Sequence, residues 1–162
     1  MADNASGDEV LLTVGDLLAT KGSEGRLATL AACETGIVGT ALPDEVVMLP
    51  SALLQAGFAG VVASLWSVPD LSTAMLMERF YRYWREEALS PAQALHAAQR
   101  WLRDTTNGEK AEYFRRYSPE LSGLRMPEAA AAEFFSEVMS RDLGQRDFAP
   151  PRWWAAFYLT GN

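Results

Sequence analysis

The chain has a single cysteine and a single histidine in 162 residues. One cysteine cannot close an intramolecular disulfide, so the thiol is either a small buried hydrophobe or a reactive group, and a reducing, cytoplasmic location is expected. The lone histidine leaves no Cys/His cluster for a structural zinc site, and neither metal nor cofactor is expected. Basic charge is short as well: 14 Lys+Arg against 21 Asp+Glu leave a net charge of −7. No positive field is present to hold a phosphate backbone, so nucleic acid is not expected as a direct partner. No run approaches the roughly 18 apolar residues of a membrane helix. The opening Met1-Ala2-Asp3-Asn4 is acidic rather than a charged-then-apolar export signal, and no membrane contact is expected.

What the chain does have is a 49% hydrophobic content over about one domain's length, enough for a packed core. Residues 1–11 read as a flexible segment and residues 12–162 as the folded part. After a short helical turn capped by Thr13, the run Leu27-Ala28-Thr29-Leu30-Ala31-Ala32 has the length and character of a strand buried on both faces, with Cys33 at its carboxyl end. Val47, Leu49, Ala52, Leu53 and Ala56 then recur at helical spacing. Pro50 suits a first turn, which puts the helix start near Leu49, and Gly57 suits the stop. A second apolar run, Gly60-Val61-Val62-Ala63-Ser64-Leu65, completes a βαβ crossover and hence two parallel strands.

Two long helices follow. The first opens at Asp70 and repeats Leu71, Ala74, Met77, Tyr81, Trp84 and Ala88 at three- and four-residue steps; the second opens with the capping box Ser90-Pro91-Ala92-Gln93. Residues 104–123 read as polar and turn-rich. Residues 127–141 read as a helix with Ala131, Phe134, Phe135 and Val138 inward, and residues 153–161 as a final strand. The expected architecture is α/β: a parallel βαβ core with flanking helices and a C-terminal strand.

In such a sheet, ligands bind outside the carboxyl ends of the strands. Those ends carry Cys33 on one strand and Trp66-Ser67-Val68-Pro69-Asp70 on the other, which should face one crevice. A thiol at a strand end, followed by Glu34-Thr35-Gly36, suits a nucleophile, although it needs a base or electropositive neighbour to ionise. The competing explanation of a lone cysteine is plain packing. Asp70 is likewise explained by an N-cap role, which a substrate contact does not preclude. His96 shares a face with Gln99, Arg100 and Arg103, opposite the stripe Leu95, Ala98 and Leu102, and is read as solvated surface rather than as the base.

Five segments in order resemble the C-terminal half of a CHAT domain: residues 30–36 (Leu-Ala-Ala-Cys-Glu-Thr-Gly), 49–57 (Leu-Pro-Ser-Ala-Leu-Leu-Gln-Ala-Gly), 61–70 (Val-Val-Ala-Ser-Leu-Trp-Ser-Val-Pro-Asp), 91–102, and Trp154-Ala155-Ala156-Phe157. The likeness covers residues 12–161, with a divergent insert at 104–149. It implies a partial caspase-like fold related to separase, and a cysteine peptidase with a His/Cys dyad. Carried over, Cys33 is the nucleophile and its amide an oxyanion donor. Trp66, Ser67 and Asp70 resemble the wall of the primary specificity pocket in separase, where a carboxylate receives a basic side chain.

The family's catalytic histidine lies in a His-Gly motif upstream of the matched part. With His96 set aside the dyad is incomplete, and the chain reads as a fragment or one piece of a split domain, inactive alone. Its expected partners are a protein substrate or regulatory protein and an upstream segment that supplies the histidine. The alternative is a non-catalytic protein-interaction module of the same fold. A redox sensor at Cys33 has less support, because no resolving cysteine is present.

Overall fold

The computed structural model describes residues 25–30, 45–116 and 127–161. Among these residues the sheet has three strands, β1 (Ala28–Thr29), β2 (Gly60–Ser64) and β3 (Phe157–Gly161), in the order β1-β2-β3. The valines and alanine of β2 leave it no polar face to turn to water, and all five of its residues are buried. β1 pairs with it in parallel, Ala28 opposite Val61 and Thr29 opposite Val62, and the Leu30 amide donates to the Val62 carbonyl at 2.8 Å. The expected parallel pair is therefore present. Burial on both faces is not: Leu27, Ala28, Thr29 and Leu30 are half-buried, whereas β2, between the other two described strands, is fully buried. β3 runs antiparallel on the other side, from Gly60 opposite Gly161 to Ser64 opposite Phe157. Gly161 has φ 91° there, and a Cβ would stand 2.3 Å from the Ala59 carbonyl oxygen, so only glycine closes this pair.

Helix α1 (Glu45–Gln55) crosses between the parallel strands. It starts four residues before the expected Leu49, leaving Pro50 inside, where its missing N–H forfeits one bond to the preceding turn. The stop at Gly57 is as expected: its φ is 107°, its amide donates to Leu54 and the Phe58 amide to Leu53, a Schellman closure.

Helices α2 (Asp70–Arg85) and α3 (Pro91–Asp104) pack against each other. In α2 the buried face is Ser72, Thr73, Met75, Leu76, Met77 and Phe80; of the expected stripe Met77 is buried, and Leu71, Ala74, Tyr81 and Trp84 are not. The helix is turned by about one residue, ~100°, because it meets neighbours over a wide arc; Leu71, Tyr81 and Trp84 stay half-buried at its border. It ends at Arg85, so Ala88 lies beyond it with φ 53°. In α3 the capping box at Ser90 and Gln93 forms, Leu95, Ala98 and Leu102 are buried as expected, and Ala94 is buried with them.

In place of the turns expected over residues 104–123, the described part contains helix α4 (Asn107–Arg115). Its start is a capping box, Thr106 with Glu109. Returning chain satisfies the remaining first-turn donors: Asn107 N–H donates to Gln145 O (2.8 Å) and Gly108 N–H to Leu143 O (2.9 Å). A Cβ at Gly108 would sit 3.1 Å from that Leu143 oxygen, which accounts for glycine inside a helix. Helix α5 (Glu128–Met139) packs on α4 with Ala131 and Val138 buried and Phe134 and Phe135 half-buried. The expected strand from Trp153 is in fact a 3-10 turn, Pro151–Trp153, followed by β3 from Phe157.

Lys110 is the most deeply buried charge among the described residues. Its Nζ donates to the Thr105 carbonyl (2.6 Å) and Thr105 Oγ1 (2.8 Å), over the rings of Trp101 and Phe148. Burial pulls it from 10.5 down to about 8, against the opposing pull of Glu109 and Asp147. A lysine depressed in the fold contributes stability that is complete above its unfolded value and lost as pH falls through about 8. Urea unfolding is therefore expected to show a free energy rising from about pH 8 to about pH 10, with Lys110→Met flattening the rise. A slope that survives the substitution would contradict the assignment.

Candidate functional site at the carboxyl end of the sheet

At Ser64 the buried strand β2 ends and the chain comes abruptly to the surface. Leu65 is 52% and Trp66 40% exposed, and Ser67 is exposed too, before Val68 dives back into the core at 2%. Two sets of contacts fix this arch. On the helix side, Thr73 Oγ1 donates to Val68 O (3.4 Å), Ser72 Oγ to Pro69 O (2.9 Å) and the Thr73 amide to Pro69 O (3.1 Å). On the strand side, the Leu65 amide donates to Ala156 O (2.9 Å), and Trp66 Nε1 to Arg152 O (3.4 Å).

Asp70 does not cap α2. The N-cap is Pro69, which has no side chain to accept a bond, and Asp70 is the first helical residue, exposed, with its carboxylate in the first turn. A negative charge there is favoured by the helix dipole, so the residue keeps a reason to be acidic apart from any ligand. Trp66, Ser67 and Asp70 thus share one exposed junction. Cys33 lies outside the described residues. Parallel pairing at Thr29 and Leu30 nevertheless aims β1 at the same edge of the sheet as Ser64. His96 is exposed on α3, as its face implied. Gln99, grouped with it as surface, is instead half-buried: its Nε2 donates to Phe157 O (2.8 Å) and Trp154 O (3.2 Å).

A second polar cluster has no counterpart in the sequence reading. The Tyr113 hydroxyl donates to Glu78 Oε1 (2.6 Å) and accepts from Arg82 Nη1 (3.0 Å), while the Arg79 guanidinium lies over the rings of Tyr83, Trp101 and Tyr113. Burial raises the Glu78 carboxyl, and burial together with the Glu78 charge pushes Tyr113 up to about 12. These groups flank a groove of about 410 Å³ lined by Arg82, Trp101, Glu112, Tyr113 and Arg116 among others. Arg82 bonds Tyr113 and Arg116 pairs with Glu112 along it, which marks it as the seam docking α4 on α2 and α3. No local pattern signals it, since Glu78 and Tyr113 are 35 residues apart.

The family model of the CHAT domain matches residues 1–162. The chain belongs to the CHAT domain family. This is a caspase-like, peptidase-type family, and the mixed α/β sheet with its flanking helices is consistent with part of that fold. Neither a curated protein nor a solved structure matches the chain. Among the described residues of this CHAT domain, no His/Cys/Asp/Glu group could hold a metal ion, and no helix is long and apolar enough to cross a membrane.

The seam generates a stability test. Glu78 Oε2 has no partner among the described residues, so Tyr113→Phe would strip the hydrogen-bonded oxygen as well. The expected loss in urea unfolding is about 1–3 kcal/mol, the cost of a buried acceptor left unmet. An unchanged midpoint would mean that water already serves the carboxylate.

Proposed function

We propose that this chain carries the nucleophile of a CHAT-type cysteine endopeptidase acting on a protein partner. Cys33 attacks the scissile carbonyl through its thiolate, with its own amide among the oxyanion donors. Trp66, Ser67 and Asp70 form the wall that receives a basic P1 side chain. The observation that supports this reading is the arch after β2: a carboxylate, a hydroxyl and an indole stand exposed at the end of the strand whose parallel neighbour leads toward Cys33. An aspartate there can pair with a guanidinium by two charge-assisted hydrogen bonds, which lysine or a neutral P1 residue cannot match.

The thiol also needs a base. His96 is followed by Ala97, not glycine, and is exposed on α3, so the family's His-Gly motif has no counterpart in the given sequence. A His-Gly-bearing segment is the proposed partner that completes the dyad. General-base assistance is worth ~10²–10⁴-fold, and the chain alone is expected to show no turnover of basic-P1 peptides.

With such a segment fused or supplied in trans, cleavage after arginine is expected, to be abolished by Cys33→Ser and weakened at least tenfold in kcat/KM by Asp70→Asn, about 1.4 kcal/mol of transition-state binding. The amide keeps the shape of Asp70 and removes its charge. Cleavage by Asp70→Asn equal to the parent would sink the pocket assignment. An inert Cys33 in the completed protein would favour a non-catalytic interaction module instead.

A further inference from the structure

The arch that carries Trp66, Ser67 and Asp70 is held on its strand side by one stretch of chain, the turn between Arg152 and Phe157. Ala156 O accepts from the Leu65 amide and Arg152 O from the Trp66 indole. The turn is braced from within by the Trp153, Trp154 and Ala155 amides on the Pro150 and Pro151 carbonyls and by the Trp154 indole on Ala149 O, but these bonds do not engage the Trp154 and Phe157 carbonyls. Trp154 has φ −138° and ψ −28°, outside any regular element. Carbonyls in such a passage need partners from elsewhere.

Gln99 supplies them. It projects from α3, whose neighbouring Ala98 and Leu102 are fully buried, so its backbone is fixed by the core. Its one amide nitrogen donates to both Trp154 O and Phe157 O, the two carbonyls that bracket Ala155 and Ala156. Both partners are acceptors, which defines the orientation of the amide: the NH₂ group, not the oxygen, faces the turn.

We infer that Gln99 is a positioning residue for the wall at the end of β2: it clamps the turn at residues 154–157, and the turn in turn sets where Leu65 and Trp66 stand. The path runs from Gln99 Nε2 to Trp154 and Phe157, from Ala156 O to the Leu65 amide, and from Leu65 to the side chains of the arch. Gln99 acts on those side chains only through the turn. The inference rests on the reading of the arch as a substrate wall, but the clamp can be tested without any cleavage.

The test uses the full chain with Gln99→Met, which keeps the length and removes both donors, and Gln99→Glu, which turns a carboxylate toward two carbonyls. Hydrogen exchange of the Leu65 amide and the NMR signal of the Trp66 indole N–H are followed, with the Lys110 amide, bonded to Thr106 O, as the remote reference. Both variants are expected to lower Leu65 protection about tenfold relative to that reference and to move the Trp66 signal. Should Gln99→Met fail to fold, Gln99→Glu still decides: near pH ~4 its carboxyl regains a donor, and part of the protection lost at pH ~8 is expected to return. Leu65 protection and a Trp66 signal unchanged in a folded variant would overturn the proposal.

In the protein completed with a His-Gly segment, Gln99→Met is further expected to raise KM for basic-P1 peptides about tenfold with kcat near the parent's, the signature of a displaced binding wall. Loosened Leu65 exchange with an unmoved KM would also overturn it, reducing Gln99 to a structural residue. Absence of cleavage by the completed parent would count against the peptidase reading alone, and the exchange result then decides the clamp by itself.

Discussion

The pairing of β2 on both sides at once is the constraint from which the rest of the structure follows. A five-residue strand with valines at its centre has nothing to offer water, so it must be covered by a neighbour on each edge and by helices on its faces. β1 meets it in parallel and β3 antiparallel, from opposite ends of the sequence. This forces the crossover α1 between the parallel strands, and it brings the C-terminal turn alongside the exit of β2. The exit is therefore built from two distant stretches of chain, and its exposed side chains inherit a rigid base.

A second theme is that the buried polar groups are met only in part: Glu78 Oε2, Arg79 Nε and Asn107 Oδ1 have no hydrogen-bond partner among the described residues, while other atoms of these groups are engaged. Lys110 is met by a carbonyl, a hydroxyl and two aromatic rings. Arg79 is handled similarly by three rings. Asn107 is wholly buried with its Nδ2 on Asp142 O at 2.8 Å. All three lie where α4 and the chain after α5 join α2 and α3. That junction is specified by directional contacts more than by apolar burial, in keeping with the charged, weakly hydrophobic sequence of α4.

The sequence is legible where local chemistry and burial agree. The β2 run, the glycine stop of α1 and the Ser90 capping box each carry a mechanism that acts within a few residues, and each forms. The buried face of α2 departs from the expected one because apolar spacing locates a stripe only to within a residue when the helix is covered over a wide arc. α4 escapes a local reading because Gly108 and its charged neighbours resemble a turn, although Thr106 and Glu109 spell a capping box; what holds Gly108 in the helix is Leu143, far along the chain. Asp70 resembles a cap only until Pro69 is credited with ending the arch. Gln99 shows the same limit from the other side: its helix position points to solvent, and its carbonyl partners lie more than fifty residues further on. At the site itself, Trp66, Ser67 and Asp70 are marked by their place after a strand, whereas their support by Arg152 and Ala156 has no local signal.

The chemistry assigned to this CHAT domain turns on one sulfur atom. A nucleophile must be open to its substrate and ionise readily, and a packing cysteine must be neither. The most direct measurement is the alkylation rate of Cys33 by iodoacetamide in the native chain completed with a His-Gly segment, as a function of pH, beside the same protein unfolded in urea. The account predicts native reaction at a rate no slower than in the unfolded chain, with a midpoint below the ~8.5 of a free thiol. A thiol that reacts only after unfolding, or whose native midpoint lies above that value, would contradict it.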